Sequence, residues 1–202
     1  MAEKTHYSSI DKSGEAQFAD RGSKFIGYAF PVETTDDFKR ELDKIKKLHP
    51  KASHFCFAYR MGIDNNLFRA ADDGEPSGSA GKPILGQIDS RELTNMGIVV
   101  VRYFGGSLLG VPGLINAYKN TASLVLQTIP VVQKQVEKNY LLQFDYTLIN
   151  EVMQILKQCA CSIQKQEIQL FCLFTVGIPV SRLEEVLYRF KDLHQVEVKP
   201  LG

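Results

Sequence analysis

The feature that most constrains this 202-residue chain is the run Ile98, Val99, Val100, Val101. Four β-branched residues with no polar break suit a central strand that is apolar on both faces. The strand ends in Arg102, Tyr103 and Phe104, followed by Gly105 and Gly106. Upstream of it, Asp72, Asp73 and Glu75 lead into Pro76-Ser77-Gly78-Ser79-Ala80-Gly81-Lys82-Pro83. Residues 69–113 thus join an acidic cluster, two glycine-rich loops and one apolar strand. Glycine-rich turns at strand and helix ends let backbone approach a ligand closely, so the candidate site is placed here.

The remaining periodicities read as scaffold. Residues 15–20 and 24–32 predict a hairpin around Arg21-Gly22-Ser23. A helix follows, capped by Thr34 or Thr35 and ended by Pro50, with Phe38, Leu42, Ile45 and Leu48 on one face. Residues 54–60 and 67–71 read as partner strands across an Asp64-Asn65-Asn66 turn. Pro83 suits the first turn of a helix running to about Leu93, and a further helix is expected over 113–128. Residues 131–138 read as a linker. Beyond it the predicted order is strand 140–146, helix 148–158, strands 162–168 and 170–178, a helix capped by Ser181 that runs to Leu193, and strand 195–199. That is β-α-β-β-α-β, the ferredoxin-like plan. The expected domains are therefore 1–130 and 139–202, in an α+β chain.

Composition narrows the partners. Net charge is +1, from 24 basic and 23 acidic residues, so nucleic-acid or membrane binding would need a local patch. The C-terminal part from Val131 is balanced, with eight residues of each sign. No window has the apolar length of a membrane helix, and the first residues lack the apolar core of a secretory signal, so a cytoplasmic protein is expected. Cys159 and Cys161 form C-x-C rather than a C-x-x-C pair. Together with Cys56 and Cys172 they read as buried free thiols rather than a metal cage.

Each motif in the 69–113 stretch was set against its chemical template. Aligning Gly81-Lys82 on a Walker loop puts proline at both ends of the pattern, so that template fails; an anion nest over 78–82 stays open. Ser79 misses the G-x-S-x-G elbow by one residue and follows an acidic loop instead of a strand, with His54 and Asp72 as unpositioned triad partners. Asp72, Asp73 and Glu75 are candidate metal or Mg²⁺-phosphate ligands. The simpler reading is that they cap the turn and the following helix. Gly105, Gly106 and Gly110 do not match G-x-G-x-x-G and read as a strand-to-helix loop. Finally, Arg21, Lys24, Arg60, Arg69, Lys82, Arg102, Tyr103 and Lys119 form a basic and aromatic set. Sharing one rim, they would contact phosphates and stack bases. His6, His49 and His194 have no sequence partners.

Arg21-Gly22-Ser23-Lys24-Phe25-Ile26, His54, the segment DDGEPSGSAGKPIL from Asp72 and the segment VVVRYFGGSLLG from Val99 resemble the IMPACT family, in its bacterial YigZ-type branch. Leu114, Ala117 and Tyr118 continue the likeness, which covers essentially the whole chain. The resemblance implies an N-terminal domain like domain IV of elongation factor G and a C-terminal domain like its domain V. It also implies a link to the regulation of translation, with RNA, the ribosome or a translation-linked protein as partner and no membrane. It supplies no catalytic residue, metal or cofactor. The expectation is a non-enzymatic binding protein. The alternatives are an enzyme of unknown reaction using the loop from Asp72 to Lys82 with a metal or phosphate ester, and a protein-interaction module.

Overall fold

The computed structural model describes residues 4–64 and 66–201; Asn65, in the expected turn of residues 64–66, lies outside them. Two compact units emerge: Tyr7–Lys134, and a second that joins the residues before Tyr7 to the stretch from Gln135 onward.

Along the first unit run β1 (His6–Ile10), β2 (Gly14–Asp20), β3 (Ser23–Pro31), α1 (Thr35–Leu48), β4 (His54–Met61), β5 (Leu67–Ala71), α2 (Gly81–Asp89), β6 (Met96–Tyr103), α3 (Gly110–Gln127) and β7 (Val131–Gln135). Five of these strands form an antiparallel sheet in the order β2-β3-β6-β4-β5. The apolar run of β6 is its central strand. Ile98 and Val100 enter one core with Phe25, Cys56, Ile84, Ile88, Leu114 and Tyr118, under α2 and α3. Val99 and Val101 enter the other with Ile26, Phe30, Phe38 and Ile45, under α1. Helices thus cover both faces, which explains the absence of any polar break in the strand.

Local signals account for most boundaries. Arg21 and Gly22 both have positive φ, at 44° and 82°, as a two-residue type I′ hairpin turn requires. Thr34 and Asp37 cap α1 reciprocally: the threonine hydroxyl accepts from the Asp37 N–H at 3.1 Å, and the aspartate accepts from the Thr34 N–H at 3.0 Å. Helices α2 and α3 begin two and three residues earlier than the sequence suggests. In each, the proline (Pro83, Pro112) occupies the third helical position, whose N–H would have no intrahelical partner anyway.

The expected linker over 131–138 is instead strand. Residues 131–135 form β7, which pairs with β1 as a two-stranded ribbon, and β8 begins at Glu137. The partner lies some 125 positions away, as the bond from Gln133 Nε2 to Ser8 Oγ (2.8 Å) indicates, so no local signal marks the pairing.

The second unit contains β8 (Glu137–Asp145), α4 (Ile149–Gln158), β9 (Ser162–Ile168), β10 (Phe171–Pro179), α5 (Leu183–Asp192) and β11 (Glu197–Pro200). Its sheet order β11-β8-β10-β9, with every pair antiparallel, is the predicted β-α-β-β-α-β plan. Leu142, Phe144, Phe174, Val176 and Ile178 pack against Val152, Leu156, Val186 and Phe190. Ser181 does not cap α5: it lies in a 3-10 turn, and the helix starts after Arg182 without a side-chain cap. Cys159 and Cys172 are buried and Cys161 is half-buried, all as free thiols.

Candidate functional site

Strand β6 alternates its side chains between the two cores, and Arg102 falls on the α2/α3 side, flanked in register by Phe25 of β3 and His54 of β4. It is only 5 % exposed. A buried guanidinium needs a counter-charge, and the acidic loop supplies it. Arg102 Nη1 donates to Glu75 Oε1 at 2.6 Å, and the Tyr118 hydroxyl of α3 donates to the same oxygen at 2.7 Å. The guanidinium carbon stands 5.5 Å from the Phe25 ring centre and 5.6 Å from that of Phe104. Nη2 reaches Ser23 Oγ at 3.5 Å, whereas Nε is buried and, among the described residues, has no partner. An orphaned buried donor costs about 1–3 kcal/mol.

Cys56 Sγ completes the cluster, 3.3 Å from the Tyr118 hydroxyl and 2.9 Å from the Asp72 carbonyl oxygen. Burial pushes the Cys56 thiol well above the ordinary thiol range, and the nearby carboxylates reinforce the shift. Burial likewise raises Tyr118, so both groups stay protonated and act as hydrogen-bonding groups, not as nucleophile or base.

The loop after β5 is tied down by its own acids. Asp72 accepts from the N–H groups of Gly78 (2.8 Å), Ala80 (3.0 Å) and Gly81 (2.8 Å), closing the turn and capping α2. Burial alone would raise its pKa, but the three amides outweigh it and hold the carboxyl below its usual value. Asp73 adopts φ 44°; its Oδ2 accepts from the Phe55 N–H at 2.6 Å and its carbonyl oxygen lies 2.8 Å from His54 Nδ1. Because a carbonyl can only accept, Nδ1 carries the proton. His54 Nε2 is therefore left 3.9 Å from Glu75 Oε1. Ser79 is buried and donates to the Pro76 carbonyl at 2.6 Å.

Close backbone approach accounts for two of the glycines. A Cβ on Gly81 would stand 2.5 Å from the Ala71 nitrogen, and one on Gly105 would stand 1.9 Å from the Gly22 carbonyl carbon. The β2–β3 turn and the β6–α3 loop therefore meet backbone to backbone.

These elements enclose an open pocket of about 350 Å³. His54, Glu75, Pro76 and Arg102 line one side, and Phe104, Leu108, Leu109, Val111 and Leu114 the other. Leu108 is 85 % exposed and Phe104 48 % exposed, so the mouth is an apolar surface. Such an arrangement binds a ligand with an apolar body and a hydrogen-bonding edge. Among the described residues, no three His, Cys, Asp or Glu side chains gather as metal ligands.

The Impact N-terminal domain family matches residues 21–126, which contain the whole cluster. A family member from Bacillus subtilis, YvyE, is 37 % identical over 152 residues, covering 75 % of this chain and 70 % of its own. The chain belongs to the IMPACT family. Another member, YigZ of Escherichia coli, is 32 % identical over 182 residues, 89 % of each chain. A crystal structure described as that of a hypothetical protein superimposes with a TM-score of 0.77 at 27 % identity, over 99 % of both chains.

In this IMPACT-family chain the expected basic and aromatic rim is divided. Arg102 is a buried ion-pair partner, which removes it from phosphate contact. Tyr103 points to the α1 side, where its hydroxyl lies 2.9 Å from His49 Nδ1; His49 Nε2 in turn lies 2.8 Å from the Tyr28 hydroxyl. Arg60 pairs with Asp89 at 2.7 Å and stacks on Phe68, while Arg69 lies over Phe57. Arg21, Lys24, Lys82 and Lys119 are exposed, as are Ser77 and Gly106. Lys24 pairs in register with Tyr103, whereas Lys82 starts α2 behind the opposite face. The period of two along a strand explains the separation: Arg102 and Tyr103 are adjacent in sequence and so point to opposite sides. Cys56 and Tyr118 escaped sequence reasoning because each sits on an apolar stripe of its element. Nothing in that spacing separates a hydrogen-bonded core tyrosine from one that merely packs.

Proposed function

We propose that this protein is a non-enzymatic cytoplasmic binding module linked to the regulation of translation, taking RNA, the ribosome or a translation-linked protein as its partner. The observation that carries the reading is the use made of the signature acids. Asp72 is saturated by three loop amides, and Glu75 by Arg102 and Tyr118. Both hold shape for the glycine loops rather than presenting a reactive group. The exposed cations Arg21 and Lys24 flank the turn that rests on Gly105, beside the pocket mouth, and are placed to meet a phosphate backbone. Lys82 and Lys119 lie on the helices that cover the same core. Membership of the IMPACT family supports the translational link, and the β-α-β-β-α-β second unit is compatible with a likeness to elongation factor G domains IV and V.

The test is salt-titrated binding of the full chain to single-stranded RNA and to ribosomes. Arg21→Ala, Lys24→Ala and Lys82→Ala should each weaken binding and lower the slope of log affinity against log salt by about 0.7 per lost phosphate contact. Absence of binding at low salt, or slopes unmoved in all three variants, would refute the RNA and ribosome reading.

A further inference from the structure

We propose that the pocket bounded by His54, Arg102, Phe104 and the start of α3 receives a single unpaired nucleobase; the inference rests on the RNA reading above. Two features of the pocket select the ligand. The first is its polar edge. Arg102 Nε is a buried donor without a partner among the described residues, and His54 Nε2, its ring fixed through Nδ1, is an acceptor. Both side chains converge on Glu75 Oε1, His54 Nε2 at 3.9 Å and Arg102 Nη1 at 2.6 Å. An acceptor beside a donor is what a nucleobase presents along its pairing edge.

The second feature is the apolar wall. Phe104 offers a half-exposed ring for stacking, and Leu109, Val111 and Leu114 line the pocket beside it, with Leu108 at its mouth. A volume of about 350 Å³ is at the small end of ligand sites and suits one ring system. The charge of Arg102 is already answered by Glu75, so the floor has no excess charge to draw a phosphate inside. The phosphate is left to Arg21 and Lys24 on the adjoining turn. An apolar side chain from a protein partner would fill the wall but leave the Arg102 Nε donor unmet, which is why a base fits better.

The experiment compares the full chain binding a short fluorescent single-stranded RNA with the same RNA carrying abasic sites, alongside quenching of 2-aminopurine riboside. Loss of the bases should weaken binding roughly tenfold. Phe104→Ala and Leu108→Ala should lose a similar factor and no longer distinguish the two RNAs. Both side chains stand at least half in solvent, so the fold should persist, which circular dichroism checks. Equal affinity for both RNAs, unaffected by either variant, overturns the base pocket and leaves the RNA reading standing. Quenching of the riboside by the wild type but not by Phe104→Ala, with no binding of RNA, keeps the base site for free nucleosides and overturns the RNA reading. Displacement of the riboside by N-acetylphenylalaninamide but not by adenosine overturns the proposal in favour of an apolar protein anchor.

Discussion

Removing Glu75 tests whether the signature loop is held by charge. The Glu75 side chain is 4 % exposed and that of Arg102 6 % exposed, so the pair is shielded from water. In Glu75→Ala the guanidinium keeps its charge without a counter-ion, which costs about 3–5 kcal/mol. The Tyr118 hydroxyl also loses its acceptor, although Cys56 Sγ remains 3.3 Å away. A total near 4 kcal/mol is a large share of the roughly 5–15 kcal/mol that holds a typical domain together. At about 2–4 °C per kcal/mol, the melting temperature should fall by roughly 8–16 °C. Replacing both partners, as Glu75→Leu with Arg102→Met, removes the stranded charge and should recover most of the loss. The measurement is urea unfolding of the four members of the cycle, followed by far-ultraviolet circular dichroism because the chain has no tryptophan. A coupling of about 2–3 kcal/mol is expected. If Glu75→Ala costs under about 1 kcal/mol, or the double variant loses the sum of the two single losses, the ion pair is not what anchors the loop.

Asp72→Asn should destabilise the first unit at neutral pH by about 1–3 kcal/mol, since three amides lose a charged acceptor. The folded carboxyl is held below its usual value, so this stabilisation is fully present above the unfolded pKa and disappears as pH falls through the folded one. The difference between wild type and variant in melting temperature should therefore shrink in acid, and a constant gap down to the lowest pH would contradict the sign. Gly105→Ala must push the β6–α3 loop off Gly22; a loss of about 1–3 kcal/mol is expected, and a neutral result would show that the two backbones are not in contact. Thr34→Ala should cost about 1 kcal/mol by removing the capping box of α1, while Ser181→Ala, at a helix start without a side-chain cap, should change the melting temperature very little.

The second unit was legible because each of its elements alternates or repeats locally, and the sheet order β11-β8-β10-β9 follows once the β-α-β-β-α-β order is read. The first unit was legible element by element but not at its edges. The ribbon of β1 and β7 depends on two short polar strands meeting across most of the unit, and no periodicity within either strand records that encounter. The site shows the same division between local and non-local information. That Asp72 caps a turn was readable from its neighbours, because the amides it holds lie six to nine residues ahead. That Glu75 neutralises Arg102 was not, because a strand, a helix and 27 positions separate them. Reading Arg102 as a surface cation followed from its place at a strand end. The correction follows from a different fact: its position continues the inward series of Ile98 and Val100, so the residue most exposed to suspicion as a phosphate contact was in register with the core. The apolar run that marked the central strand thus carried the information needed to predict the buried arginine, once its period of two was extended by a single step past the last valine.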